Sequence, residues 1–394
     1  MLRVGNTELK ELEKSLKSKK LFRVGDIEKE LCQVLNFEKE WAEKIGTRHA
    51  LLVSGGGTGA LVAALVGVGI GPGDEVIVPA YTFMATASAV LIAGAIPVLA
   101  EIDESLALSP EDFEKKITKD TKAVMPVHMI GRPANLDKII AIAKKHSIKV
   151  VEDSCQCDGG SYKGRRTGSL GDAGAYSFND FKILSCGEGG GMVTNDSTAY
   201  ERAAIFADSG TAFRPYAGDI KSPIFLGQQL RASEPMGAIL RGQLGLLEGI
   251  LADARKIAGR IRKELDGCKG LKLAPMNEVE GDCGISVAFT FKTEVLARKF
   301  AKAEGVGAWL PIDTGKHVYT NWEPILKKQV YHHPAMNPFN FAENKNLRHN
   351  YTNGMCPKTL DICNRTAILS INPDMTEETV SKRIAACKAA ADTL

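Results

Sequence analysis

A chain of 394 residues is long enough for about two to three domains. Its composition, 44% hydrophobic and 25% charged, is that of a globular protein with a sizeable core. The formal net charge of +3 gives no support to a nucleic-acid partner, which would leave a concentrated basic stripe. Nine cysteines without a C-x-x-C pair outline neither a disulfide framework nor a zinc site, as suits a reducing cytoplasm.

Residues 1–25 read as a helical arm whose lysines (Lys14, Lys17, Lys19, Lys20) form a solvated face. The same stretch alternates charged and apolar residues and lacks the uncharged core of a signal peptide, so a cytoplasmic protein is expected. Leu31, Val34, Leu35, Trp41 and Ile45 recur at helical spacing and end at Gly46. Two long uncharged runs, 50–70 and 76–100, are broken by glycines and by Pro79 and Pro97. They predict strand-turn-helix core rather than membrane spans. Strands are predicted at 49–53, 75–78, 96–100, 123–127, 149–152, 173–178 and 191–194, with helices at 58–68 and 135–146 among them. Apolar strands alternating with helices imply a mostly parallel sheet covered on both faces. One long helix is expected over 243–265, then a smaller α+β region with strands at 287–291 and 367–371. The stretch 319–355, rich in Asn, His, Pro and aromatics, reads as a surface loop or lid.

Four constellations carry chemistry. Ser54-Gly55-Gly56-Gly57-Thr58-Gly59-Ala60 follows a predicted strand and opens a predicted helix, a natural cradle for phosphate. It loosely fits a dinucleotide fingerprint, but the next strand ends in Val78-Pro79-Ala80-Tyr81 where a ribose-binding acid is required. No Walker A motif is present, since Gly315-Lys316 is followed by His317. A nicotinamide dehydrogenase is therefore disfavoured. The second constellation, Lys149 to Gln156, is an apolar strand ending in Glu152 and Asp153. A carboxylate there can hold a pyridinium nitrogen charged, or cap a helix. Tyr81 and Phe83, past another strand end, are core or a platform for a flat ring. In the fourth, Lys182 lies among aromatic and aliphatic neighbours five residues after Ser177. A desolvated amine at that place is suited to Schiff-base chemistry; a solvated lysine is the plain alternative.

The ordered set resembles the DegT/DnrJ/EryC1/StrS family of sugar aminotransferases, of the fold-type-I pyridoxal phosphate class. The likeness runs from about Phe37 onward. Its marks are Gly57-Thr58-x-Ala60-Leu61, Gly71-Pro72-Gly73-Asp74-Glu75-Val76, Thr82-Phe83, Glu152-Asp153-x-x-Gln156, Gly171-Asp172, Ser177-Phe178-x-x-x-Lys182, Gly187-Glu188-Gly189-Gly190, Arg231-x-Ser233-Glu234 and Gln243-Leu244. The resemblance implies an α/β fold with a seven-stranded, mostly parallel sheet in a large cofactor-binding domain (26–250), and a smaller α+β C-terminal domain (251–394). It implies pyridoxal 5′-phosphate as cofactor. Lys182 would be the Schiff-base lysine and proton shuttle, Asp153 the partner of the ring nitrogen, Gln156 a contact of the ring hydroxyl and Phe83 the stacking residue. Gly57, Thr58 and Ser177 would bind the phosphate. A second subunit would add a contact from a Gly-x-Asn-x-Arg segment, which here reads Gly227-Gln228-Gln229-Leu230-Arg231, with Gln229 in place of Asn. Lysine rather than histidine at 182 favours transamination over dehydration. The implied protein is a homodimer with shared sites, aminating a keto- or aldehydo-sugar from glutamate or glutamine. The runs 101–110, Val127-His128-Met129 and 159–164 are similar to the branch that makes 8-amino-3,8-dideoxyoctulosonate. Nucleotide-sugar and inosose acceptors stay open, as does a non-catalytic cofactor-binding regulator. His128, Arg132, Arg231, His317 and Tyr319 are the candidate substrate contacts.

Overall fold

The computed structural model describes residues 3–23, 32–214 and 217–394. Seven strands build the main sheet: β1 (His49–Val53), β2 (Glu75–Pro79), β3 (Ile96–Ala100), β4 (Thr121–Val124), β5 (Lys149–Asp153), β6 (Ala173–Ser177) and β7 (Gly190–Thr194). Their spatial order is β1-β7-β6-β5-β4-β2-β3. All run parallel except β7, which is antiparallel to both of its neighbours. β2, β3, β6 and β7 are buried along their whole length, which explains why they read as unbroken apolar runs instead of alternating ones. The exception at β7 has a local cause. A parallel return needs a crossover, usually helical. Residues 178–189 instead make a tight turn in which Phe178 N–H donates to Gly189 O and Asp180 N–H to Gly187 O. That turn leaves Lys182 at the C-terminal end of β6.

Helices close both faces. Helix α1 (Asn6–Lys17) is docked: Gln243 Nε2 donates to Arg3 O and to Glu8 Oε1, tying the arm to a helix at 234–244. Helix α2 (Gln33–Ile45) ends at Gly46, whose φ of +82° is the left-handed C-terminal stop. The start of the helix expected around Leu31 lies outside the described residues. Phe37 and Trp41 on this helix pack with Tyr176 and Phe178. Helices α3 (Gly56–Gly67) and α4 (Ala85–Ile92) follow β1 and β2 and are apolar nearly all round, as buried helices are.

Two sequence expectations are corrected. The single helix expected over 243–265 is two, α5 (Glu234–Leu244) and α6 (Leu247–Leu265). The break falls at Gly245 and Leu246, where glycine's low helix propensity coincides with a change of packing partners. Leu247, Ile250 and Leu251 join the Phe37–Trp41 cluster, whereas Ile257, Ile261 and Leu265 join a separate C-terminal core. That core covers a three-stranded antiparallel sheet of β8 (Ser286–Thr290), β10 (Thr366–Ser370) and β9 (Ala308–Trp309), in that order. The stretch 319–355 is no free lid. Tyr319, Trp322 and Ile325 are fully buried and share a cluster with Val78, Tyr81 and Leu61 of the main sheet layer. Asn344 Nδ2 donates to Gly94 O, and the Arg348 guanidinium pairs with buried Glu75. Such a segment is irregular because its side chains pack one by one, without a helical or strand period. Among the described residues, no helix is long and apolar enough to cross a membrane.

Candidate active site

The C-terminal ends of the parallel strands are where open α/β sheets gather ligands. A cavity of about 530 Å³ opens at that edge. Five of the seven strands contribute residues at or past their ends: Gly55–Thr58 after β1, Thr82 and Phe83 after β2, Val127 and Ile130 after β4, Asp153, Cys155 and Gln156 at β5, and Ser177, Asn179, Phe181, Lys182 and Ile183 at β6. Trp309, Lys316 and His317 complete the wall from the C-terminal half. Of the residues singled out from sequence, Gly57, Thr58, Phe83, Asp153, Gln156, Ser177 and Lys182 therefore share one cavity. Gln229 does not line it; it is exposed, on a segment bridged to Asp208.

The glycine cradle begins helix α3 with no side-chain cap and no acidic residue in the first turn. Its unpartnered N–H groups and the dipole of the helix favour an anion. Gly56 sits at φ +66°, and a Cβ on Gly57 would come within 2.9 Å of both Cys155 Sγ and Ser177 Cβ. The backbone can approach Ser177 this closely only because position 57 is glycine.

Strand geometry separates the paired carboxylates. Successive side chains of β5 point to opposite faces. Glu152 is fully buried and accepts from the N–H groups of Gly168, Leu170 and Gly171 at 2.6–2.7 Å, with His128 Nε2 at 3.1 Å. It is a clamp on the 168–171 turn. Asp153 faces the cavity, 4% exposed, and accepts from Thr86 Oγ1 at 2.7 Å and Cys155 N–H at 3.1 Å. Thr86 in turn meets Thr82 Oγ1 at 2.8 Å. Gln156 Oε1 accepts from Ile130 N–H, which fixes the amide at the cavity wall.

Phe83 is 46% exposed and meets the His317 ring edge-on at 6.1 Å. Burial, with help from the charges of Lys316 and Lys182, holds His317 down to about 4, so its imidazole is neutral near pH 7. Among the described residues its Nδ1 has no hydrogen-bond partner. The other candidate substrate contacts lie elsewhere. His128 is spent on Glu152 and Ala134 N–H; Arg132 binds the carbonyls of Ala274 and Pro275. Arg231 pairs with Asp208, and Tyr319 O–H donates to Asn353 O. Sequence reasoning did not reach Thr86, Trp309 or Lys316. Thr86 lies inside the uncharged run 76–100 with no signal of its own, and the other two come from segments far along the chain.

A site with an anion cradle, a buried carboxylate and a half-buried lysine matches the donor set for a phosphorylated pyridine aldehyde. The helix N-terminus, Thr58 and Ser177 suit a phosphate dianion, Asp153 a protonated ring nitrogen, and Lys182 a carbonyl carbon.

The profile of the DegT/DnrJ/EryC1/StrS aminotransferase family matches residues 3–388. This chain belongs to that family. Within it, the chain is 37% identical over 59% of its length to the GDP-perosamine synthase of Escherichia coli O157:H7. That match covers 63% of the synthase, just under two thirds of it. It is 33% identical to the pleiotropic regulatory protein of Geobacillus stearothermophilus, over 72% of this chain and 74% of that one. The crystal structure of DesV from S. venezuelae superposes with a TM-score of 0.77 at 28% identity, covering 98% of this chain and 95% of DesV. The DegT/DnrJ/EryC1/StrS scaffold accounts for the α/β fold and for a site at the strand ends.

Proposed function

We propose that this protein is a pyridoxal-phosphate-dependent sugar aminotransferase that moves an amino group from glutamate or glutamine to a keto- or aldehydo-sugar. The observation that carries the reading is the convergence of Lys182, Asp153 and the Gly57–Thr58 cradle on one cavity. When bound, pyridoxal phosphate supplies an electron sink for the carbon that gives or receives the amino group. The residues of the chain do the rest. The N–H groups of Gly57 and Thr58, with the Ser177 and Thr58 hydroxyls, bind the phosphate. Asp153, kept buried and bonded to Thr86, would hold a proton on the ring nitrogen. Phe83 would cover one ring face, and Gln156 would meet the ring hydroxyl. Lys182 Nζ would be the covalent attachment point and, once free, the base that moves a proton at the substrate carbon.

The relative named a GDP-perosamine synthase favours a nucleotide-linked acceptor. The relatives reported above give no support to the free 8-oxo-3,8-dideoxyoctulosonate, so it stands as one of three acceptors beside a nucleotide-linked keto-sugar and an inosose. Purified enzyme with glutamate and each acceptor, read by mass spectrometry of the product, separates them. Loss of turnover in Lys182→Ala is expected, and turnover by that variant would overturn the mechanism.

The relative named a pleiotropic regulatory protein favours keeping a second reading, a regulatory protein that binds the cofactor without catalysis. Amination of none of the acceptors, with the cofactor still bound, would favour it. A homodimer with shared sites is part of the proposal. Ile224, Phe225 and Leu226 (92% exposed) form an exposed apolar run just before Gln229 in the chain, suited to a second copy of the chain.

A further inference from the structure

A transaminating cavity must admit an amino donor as well as a sugar, and every amino-acid donor brings a carboxylate. A carboxylate taken into a partly enclosed cavity needs a cation or several hydrogen bonds. The charged side chains that line this cavity are Asp153, Glu188, Lys182 and Lys316. Asp153 and Lys182 are committed to the cofactor in the proposed chemistry, and Glu188 would repel an anion. His317, kept neutral by burial, adds no charge. That leaves Lys316. It is exposed, and among the described residues its ammonium has no ion-pair or hydrogen-bond partner.

The backbone that carries Lys316 is tied to the sheet rather than hung on a free loop. Thr82 N–H donates to His317 O at 2.8 Å and Tyr319 N–H to Ala80 O at 3.0 Å, so 317–319 pairs antiparallel with the segment leaving β2. Trp322 Nε1 donates to Lys316 O at 3.1 Å, and His317 N–H to Thr314 Oγ1 at 3.2 Å. The adjacent His317 ring meets Phe83, the residue assigned to stack on the cofactor. The ammonium is therefore presented from a fixed rim beside the ring platform.

We propose that Lys316 is the carboxylate-binding residue for the amino donor, its ammonium pairing with the α-carboxylate that glutamate and glutamine share. The inference rests on the aminotransferase reading and adds a specificity residue to it. Position favours the donor over the acceptor. The α-carboxylate is bonded to the very carbon whose amine must reach the cofactor, so it has to lie next to the ring platform. The diphosphate of a nucleotide-linked sugar is separated from the reacting carbon by atoms of the sugar ring.

The test is calorimetric titration of purified protein carrying pyridoxal phosphate. The probe is glutarate, the donor's carbon skeleton without the amine, which can bind but not react. GDP is the second probe and stands for a nucleotide-linked acceptor. In Lys316→Met the glutarate Kd should rise roughly fivefold or more, as loss of a charge-assisted contact at a partly open site requires. Lys316→Arg should restore most of the affinity, and GDP binding should be the same in all three proteins. Melting temperatures should match, because the ammonium has no partner to lose. Unchanged glutarate affinity in Lys316→Met, no glutarate binding by wild type, or a loss confined to GDP overturns the proposal. So does weaker cofactor binding with glutarate affinity intact, which would make Lys316 a phosphate ligand. Cofactor attachment is read first, from the absorbance of the bound cofactor. Failure at that stage removes the aminotransferase reading and this proposal with it; normal attachment with unchanged glutarate binding removes this proposal alone.

Discussion

Glu152 and Asp153 are neighbours in sequence with unlike work, and their contacts predict unlike phenotypes. Thr86→Val removes the hydroxyl that holds Asp153 Oδ2. Losing a hydrogen bond to a charged group costs about 1.5–3 kcal/mol, so cofactor affinity should fall roughly tenfold or more with little change in melting temperature. Glu152→Gln replaces two acceptor oxygens by one among three backbone N–H donors. An unsatisfied buried donor costs about 1–3 kcal/mol, so this variant should lose stability by that order in urea titration while its cofactor affinity stays near wild type. The reverse pattern would contradict the assignment of the two carboxylates. From sequence, the strand ending in two acids was readable and the strand period separates their faces. The residues alone did not say which acid met the cavity; the family resemblance pointed to Asp153, and the partner that holds it there, Thr86, comes from another helix.

At the scale of elements, the strands were the most legible part of the chain. Each predicted strand of the main sheet appears within a few residues of its expected bounds, since buried parallel strands must be short apolar runs. The two misreadings share a cause. The break in the 243–265 helix and the anchoring of the otherwise largely exposed 319–355 stretch by Tyr319, Trp322 and Ile325 are set by which distant surfaces the segments meet, and no local periodicity records that. One element contact gives a pH dependence. Asp208 follows the helix at 197–207 and pairs with Arg214 and Arg231. Burial raises its carboxyl, but the Arg214 hydrogen bond, Gly210 N–H and Arg231 outweigh this and bring it down to about 2. The folded state therefore binds this proton more weakly than the unfolded chain. The stabilisation is complete above about pH 4 and is lost as pH falls toward 2. In Asp208→Asn that part of the acid limb should be absent when melting temperature is followed from pH 5 to pH 2. An unchanged acid limb would show that the ion pairs contribute nothing.

For the whole molecule, the account needs two sites of the same kind on one dimer. The exposed apolar run at 224–226 would be buried by a second copy, bringing Gln229 toward that copy's cavity. Leu226→Asp should convert the dimer to monomer in sedimentation velocity and weaken cofactor binding. A wild-type monomer that binds cofactor tightly would remove the shared-site part of the proposal.

The central claim is that Lys182 holds the cofactor. Borohydride reduction of purified protein with bound pyridoxal phosphate, followed by peptide mass spectrometry, tests it directly. The account predicts a phosphopyridoxyl mass on the peptide containing Lys182 and none in Lys182→Ala. Adduct on another lysine in wild type, or the same adduct yield in Lys182→Ala, would contradict it.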